Sequence, residues 1–278
     1  MNDGDPRTTP ARDDLASAEL EGRARARRYV EPTLARVIRS SAAVRDSATA
    51  GGRQVDQLLF GELFDRIACA EGSAWGQARR DGYVGFVDES ALSSDPRTPT
   101  HRVAAPRTFG YESPSIKSPT VGYLSLNSFL EIVDEDGLLA QAAHFGWVPR
   151  RHLTPIGTFA CDPAAIAEQF VGAPYLWGGR DSVGLDCSGL VQQSLYACGL
   201  ACPRDSDQQA LLGDEAPATA LKRGDLVFWQ GHVGMMLDGE RLIHANGHHM
   251  AVAIEPLAVA MSRIESVEHQ RPIAYRRL

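Results

Sequence analysis

The sequence predicts an α+β chain in which two small all-β barrels precede a mixed domain that carries the chemistry. Short apolar segments alternate with turns from Pro32 to Leu92, the pattern of a small closed sheet. The same pattern returns after the seam Asp95-Pro96-Arg97-Thr98-Pro99-Thr100. From Asp162 onward helical spacing takes over and leads into three closely spaced strands. The expected domains are an arm over 1–30, partly disordered or helical, a first barrel over 31–95, a second over 96–158 and a catalytic domain over 159–278.

Residues 1–30 are charged and rich in Ala and Arg, with no sustained apolar face before the stretch from Leu15 to Val30. In the first barrel the expected strands are Ala35–Ile38, Ser41–Arg45, Gln57–Ile67, Ala74–Ala78 and Gly82–Val87. In the second, Leu124–Val133 parallels the central strands of the first, and Phe145–Leu153 parallels Tyr83–Leu92, a degenerate internal repeat. The catalytic domain opens with Asp162 as N-cap and Pro163 in the first turn. A polar, glycine-containing turn then runs into Cys187, after which Leu190, Val191, Leu195 and Cys198 recur at helical spacing and Gly199 supplies a stop. Leu226–Trp229, Gly231–Leu237 and Arg241–Ala245 read as strands, the last two joined by the tight turn Asp238-Gly239-Glu240.

This layout places one thiol and two imidazoles where they can cooperate. Cys187 opens a helix, where unpaired backbone N–H groups and the dipole favour an anion and are expected to lower a thiol from about 8.5 toward neutrality. His232 and His244 fall on adjacent antiparallel strands packed against that helix. His232 is then the base of a thiolate–imidazolium pair, and His244 fixes its tautomer. Cys69, Cys161, Cys198 and Cys202 read as small buried hydrophobes, and His101, His144, His152 and His269 as surface or satisfied core residues. The run from His244 to His249 has no Cys or carboxylate at ligand spacing beside it, so no metal is expected.

Composition narrows the function classes. A net charge of −7 over 278 residues gives no support for binding nucleic acid or an anionic membrane. No run of about 18 apolar residues is present. The segment Met1 to Pro10 lacks a basic region followed by an apolar stretch, and the five cysteines are an odd number spread widely, so a cytoplasmic location is the expectation. Oligomeric state is not legible in the sequence.

From about Asp162 to Tyr275 the chain resembles the NlpC-type cell-wall cysteine peptidases, a papain-like fold. The motifs that carry the likeness are Tyr175-Leu176-Trp177-Gly178-Gly179, Asp186-Cys187-Ser188-Gly189, Arg204-Asp205-Ser206-Asp207-Gln208-Gln209, Gly224-Asp225-Leu226-Val227-Phe228, Gly231-His232-Val233-Gly234 and Ile243-His244-Ala245, in that order. The two barrels resemble bacterial Src-homology-3-like domains. This resemblance implies a peptidase that needs no cofactor, with Cys187, His232 and His244 as its catalytic residues and backbone N–H groups at the helix start as oxyanion donors.

The resemblance further points to the subgroup that cuts after the γ-D-glutamyl residue of murein peptides with a free N-terminal L-alanine, such as L-Ala-γ-D-Glu-diaminopimelate. By it, Asp186, Ser188, Asp205 and Ser206 line the subsite, Trp177 forms a wall, and Glu62 and Tyr83 hold the free ammonium. A carboxylate placed where a peptide must end rejects a longer chain, which would leave it buried and unpaired. Plainer readings stand beside these: Glu62 as a solvated turn residue, Tyr83 as a core aromatic, Trp177 as core packing and Ser206 as an N-cap. The expected role is cell-wall peptide recycling; the alternatives are a general exported peptidoglycan hydrolase, a catalytically idle wall-peptide binding protein, and an acyl- or amide-transferring enzyme.

Overall fold

The structure, a computed structural model, describes residues 4–49, 51–95 and 97–278. The chain divides into two compact units, Met1–Ile156 and Gly157–Leu278. Residues 1–3 of the expected arm, and the expected boundary at 96, lie outside the described residues. No described helix is long and apolar enough to cross a membrane.

Residues 4–30 form an arm on the first barrel, held by strand pairing more than by the partly helical character expected of it. Ala16–Ser17 pairs in parallel with Tyr29–Val30, and only a 3-10 turn, Ala18–Leu20, is helical. Its anchors are far away in sequence: Leu15 is buried with Ile67 and Trp75, and the Arg12 guanidinium lies 4.3 Å from the centre of the Trp75 ring. Backbone bonds complete the attachment, Val84 N–H donating to the Arg7 carbonyl at 2.7 Å. Nothing within the arm signals these partners.

The two β-units of the first half share one strand order. In the first it runs Gln54–Leu59, Ser41–Arg45, Val84–Asp88, Ser73–Ala78, Leu63–Ala70, Thr33–Val37, Leu92–Ser93 in a single sheet. In the second, Thr120–Ser125, Arg107–Tyr111, Gly146–Pro149, Leu139–Ala142 and Ile132–Asp136 form one sheet, and Phe129–Leu130, His101–Val103 and Leu153–Pro155 another. The break between Leu130 and Ile132 divides in two what the first unit keeps as one strand. Each copy closes with a 3-10 turn, Glu89–Ala91 and Arg150–His152. The expected continuous strand Gln57–Ile67 is instead two strands, Gln54–Leu59 and Leu63–Ala70, that are not neighbours in the sheet, because Phe60-Gly61-Glu62 turns the chain with Gly61 at φ +82°.

The second unit is built on a six-stranded antiparallel sheet in the order Asp214–Glu215, Ala274–Arg277, Leu226–Trp229, His232–Met236, Arg241–Asn246, Ala251–Pro256. Its helices are α1 (Pro163–Glu168), α2 (Cys187–Ala197), α3 (Ser206–Gln209) and α4 (Leu257–Glu268). Asp162 caps α1 as expected, accepting from Ala164 and Ala165 N–H at 3.0 and 3.2 Å. The core between α4 and the sheet gathers Val227, Trp229, Met236, Leu242, Ala260 and Ile264. On the other side α2, buried along its whole length, packs across the His232 and His244 strands. Of the cysteines read as buried, Cys202 is buried and Cys198 half-buried, but Cys69 and Cys161 are exposed.

Candidate active site

Cys187 is the first residue of α2, and Asp186 caps that helix by accepting from the Gly189 N–H at 2.7 Å. The sulfur is buried and faces the backbone N–H groups of Val233 and Ser188. Val233 follows His232 directly, so the strand that carries the imidazole runs alongside the nucleophile. The tight turn at Gly231, φ +74°, sets Trp229 opposite His232, and their rings lie 5.7 Å apart.

Three hydrogen-bonded side chains then lead away from the thiol. His232 Nε2 is 2.8 Å from His244 Nδ1, and His244 Nε2 is 2.8 Å from Glu255 Oε1. Glu255 also accepts from the Arg263 guanidinium. Its carboxyl is held down at about 2, chiefly by the His244 bond, and it is therefore an acceptor. His244 must then donate through Nε2 and accept at Nδ1, and His232 must donate through Nε2. The network assigns both tautomers and leaves the His232 Nδ1 lone pair outside the chain of bonds.

Charge states in this buried cluster differ from the sequence expectation. Burial, followed by the neighbouring Asp186 charge, pushes the Cys187 thiol up to about 12, against the N–H groups and Arg204, which act to lower it. Desolvation, with His244 next, drives His232 down to about 3. Both shifts run toward the neutral forms, opposite to the direction that the helix start alone favours for the thiol.

A model of the NlpC/P60 family matches residues 172–271, and a bacterial dipeptidyl-peptidase Sh3 domain matches residues 44–92. The chain is 30% identical over 215 residues to the gamma-D-glutamyl-L-lysine dipeptidyl-peptidase of Bacillus subtilis, covering 68% of this chain and 71% of that one. The chain belongs to the NlpC/P60 family. It is a cysteine peptidase of that family. A second gamma-D-glutamyl-L-lysine dipeptidyl-peptidase, from Bacillus cereus, is 29% identical over 202 residues, covering 64% of this chain and 60% of that one. The crystal structure of an NlpC/P60 family protein from Bacillus cereus superposes with a TM-score of 0.74 at 21% identity, covering 88% of this chain and 99% of that chain, a likeness of fold.

Beside Cys187 of this NlpC/P60 peptidase, two of the expected subsite residues, Asp186 and Ser188, are structural braces. Asp186 Oδ2 accepts from Gly178 N–H at 2.8 Å and from Arg204 at 2.6 Å, while Arg204 reaches Asp186 Oδ1 at 3.0 Å and Ser188 Oγ at 2.8 Å. This fully buried arginine was quoted in a sequence motif but not singled out; it ties the glycine loop, the start of α2 and the start of α3 together. Asp205 occupies the N-cap position of α3 without a capping side-chain bond, and Ser206 lies inside the helix, so Ser206 is not the N-cap. Trp177 is 64% exposed on the loop between Pro174 and Gly179, which excludes core packing.

Tyr175, in the same loop, is a further site group. Burial, then the neighbouring Cys187 and Asp186, raises its phenol, so it remains an O–H donor at neutral pH. In the first unit, Glu62 is buried on the turn, accepting from Leu59 N–H at 3.0 Å and Arg80 at 2.8 Å, and is not a solvated turn residue. Tyr83 is a core aromatic there, packed with Val37 and Leu58.

Glu255 is the site residue that sequence reasoning passed over. It stands opposite Leu242 in the strand register, diagonal to His244 on the same face of the hairpin. No local motif marks it; only the pairing of Arg241–Asn246 with Ala251–Pro256 reveals it. Donor atoms of His244, His249 and Glu255 lie within 4.8 Å of one another. The hairpin thus supplies the carboxylate that the sequence lacked at ligand spacing. Both His244 nitrogens are engaged and Glu255 carries Arg263, so the group is built as a hydrogen-bonded chain.

Proposed function

We propose that this cell-wall peptidase hydrolyses the bond between γ-D-glutamate and an L-diamino acid in murein peptides with a free N-terminal L-alanine, as in L-Ala-γ-D-Glu-diaminopimelate, releasing L-Ala-γ-D-Glu. One observation carries the reading: a bonded His232–His244 pair on strands packed against the helix that Cys187 opens, in a chain whose similarity to named dipeptidyl-peptidases extends well beyond the catalytic unit. As the sulfur attacks the γ-carbonyl carbon, His232 Nδ1 takes the thiol proton. Backbone N–H groups at the start of α2 and the Tyr175 hydroxyl are donors for the oxyanion. His232 returns the proton to the departing amine, leaving a thioester on Cys187. Water then attacks that thioester, losing a proton to the same nitrogen, and the thiol is regenerated.

The preferred location is inside the cell, acting on released peptides; an odd number of cysteines spread widely through the chain supports it. The test offers L-Ala-γ-D-Glu-diaminopimelate in free and N-acetylmuramoyl forms. The free tripeptide is expected to be cut at least 100-fold faster, about 3 kcal/mol of discrimination for a site that recognises an ammonium. Preference for the muramoyl form overturns the free-amine reading in favour of an exported wall hydrolase. Hydrolysis by Cys187→Ala at the parent rate removes the thiol mechanism.

A further inference from the structure

We propose that Glu255 is a positioning residue of the catalytic centre, and that Arg263 tunes it: the carboxylate fixes the tautomers of His244 and His232 so that the base faces the thiol. This rests on Cys187 and His232 being the reacting pair. Geometry carries the argument. Each member of the chain from His232 to Glu255 is 2.8 Å from the next, and His244 is 1% exposed, so water cannot substitute for a missing partner. A neutral imidazole has one donor and one acceptor. With an anion at its Nε2, His244 can hold its proton only there. Without that anion, His244 is able to carry the proton on Nδ1 and donate it to His232, whose own proton then moves to Nδ1, facing the thiol. That arrangement has no base.

Glu255 has a second effect, on charge. When His232 takes the thiol proton, the new imidazolium shares its charge through His244 with the carboxylate, which lowers the barrier. Arg263, reaching in from α4, offsets part of that anion and limits how readily the histidine pair protonates in the resting enzyme. Among the described residues, the other titratable group acting on the pair is His249, from the turn after the His244 strand, while Cys187 and Asp186 stand at the start of the neighbouring α2. The two histidines titrate as a unit, so the apparent value belongs to the pair.

The test compares Glu255→Gln and Arg263→Met with the parent. Glu255→Gln is expected to lower kcat about 10- to 100-fold with little change in KM, the range for removing a partner that orients a reactive imidazole. The acid limb of the rate of Cys187 alkylation by iodoacetamide is expected to shift to lower pH in Glu255→Gln and to higher pH in Arg263→Met, because one loses an anion and the other loses a cation. A merely structural role would move both limbs together or neither. Long-range proton–nitrogen NMR of Cys187→Ala is expected to show unprotonated Nδ1 on both rings, and redistribution of the His244 tautomer when Glu255→Gln is added. Unchanged tautomers, or limbs that move the same way, overturn the proposal. Should Glu255→Gln not fold, the direction of the Arg263→Met limb decides alone. Alkylation and NMR need no substrate, so a failure of the murein-peptide assignment would show separately, as absent turnover by the parent.

Discussion

At the scale of single residues, burial and the helix dipole act on Cys187 in opposite directions, and burial wins. A helix N-terminus contributes about 0.3–1 kcal/mol to an anion, up to about 2 in a partly buried site. Withdrawing a charge from water costs several kcal/mol even after the protein relaxes. The motif around Cys187 marks the candidate nucleophile but predicts the shift of its thiol in the wrong direction, since burial depends on loops and strands far away in sequence. The same asymmetry makes the fold acid-sensitive. Burial holds both His232 and His244 below the free value of 6.5, so the unfolded chain binds the protons of this pair more readily. The stability this contributes is complete above pH 6.5 and is lost as pH falls toward 3. Glu255, at about 2 against 4.5, adds a second loss that begins only below pH 4.5. Tm is expected to decline from pH 6.5 downward and more steeply below 4.5. In His232→Gln the upper part of the decline should flatten while the lower part stays; an unchanged profile from pH 6.5 to 4.5 would place the acid sensitivity elsewhere.

At the scale of elements, the nucleophile helix is fixed by how closely its first turn meets the glycine loop. A Cβ added at Gly189 would stand well inside van der Waals contact with the Gly179 carbonyl oxygen, 3.0 Å from Asp186 Oδ1 and 3.3 Å from Arg180 Cβ. In an exposed helix Gly→Ala stabilises by about 1 kcal/mol. Gly189→Ala is expected to destabilise instead, by about 1–3 kcal/mol, because backbone atoms must move. It should also slow turnover, since the same shift displaces Cys187. A raised Tm with full activity would show that the loop yields freely. The elements that local pattern revealed were those with a complete local signature: the Asp162 cap with Pro163, the helix from Cys187, and the strands of His232 and His244. Those it hid depend on distant partners. The arm is held by Trp75, and Glu255 acquires its role from hairpin register. The split of Gln57–Ile67 was legible in principle, because Gly61 between apolar neighbours is a turn signal.

At the scale of the molecule, the two β-units of the first half repeat one strand order yet are not independent. Phe60, from the turn of the first, is buried in the core of the second among Val103, Leu124, Leu130 and Val148, its ring 5.3 Å from that of Phe145. Its carbonyl accepts from the Phe129 N–H at 2.9 Å, and Arg80 of the first unit stacks 4.8 Å from the Phe129 ring. Gly61 permits this approach, since a side chain there would meet the Phe129 backbone. A repeat that lends a core residue to its neighbour should unfold with it, which agrees with Met1–Ile156 forming one compact unit. Phe60→Ala removes a buried ring and is expected to cost about 3–5 kcal/mol. Hydrogen exchange would read where that loss falls. Protection should drop together in the strands from Thr33 to Ser93 and in those from His101 to Pro155, whereas loss confined to the second set would mean that the barrels unfold separately and that Phe60 only plugs a neighbour's core.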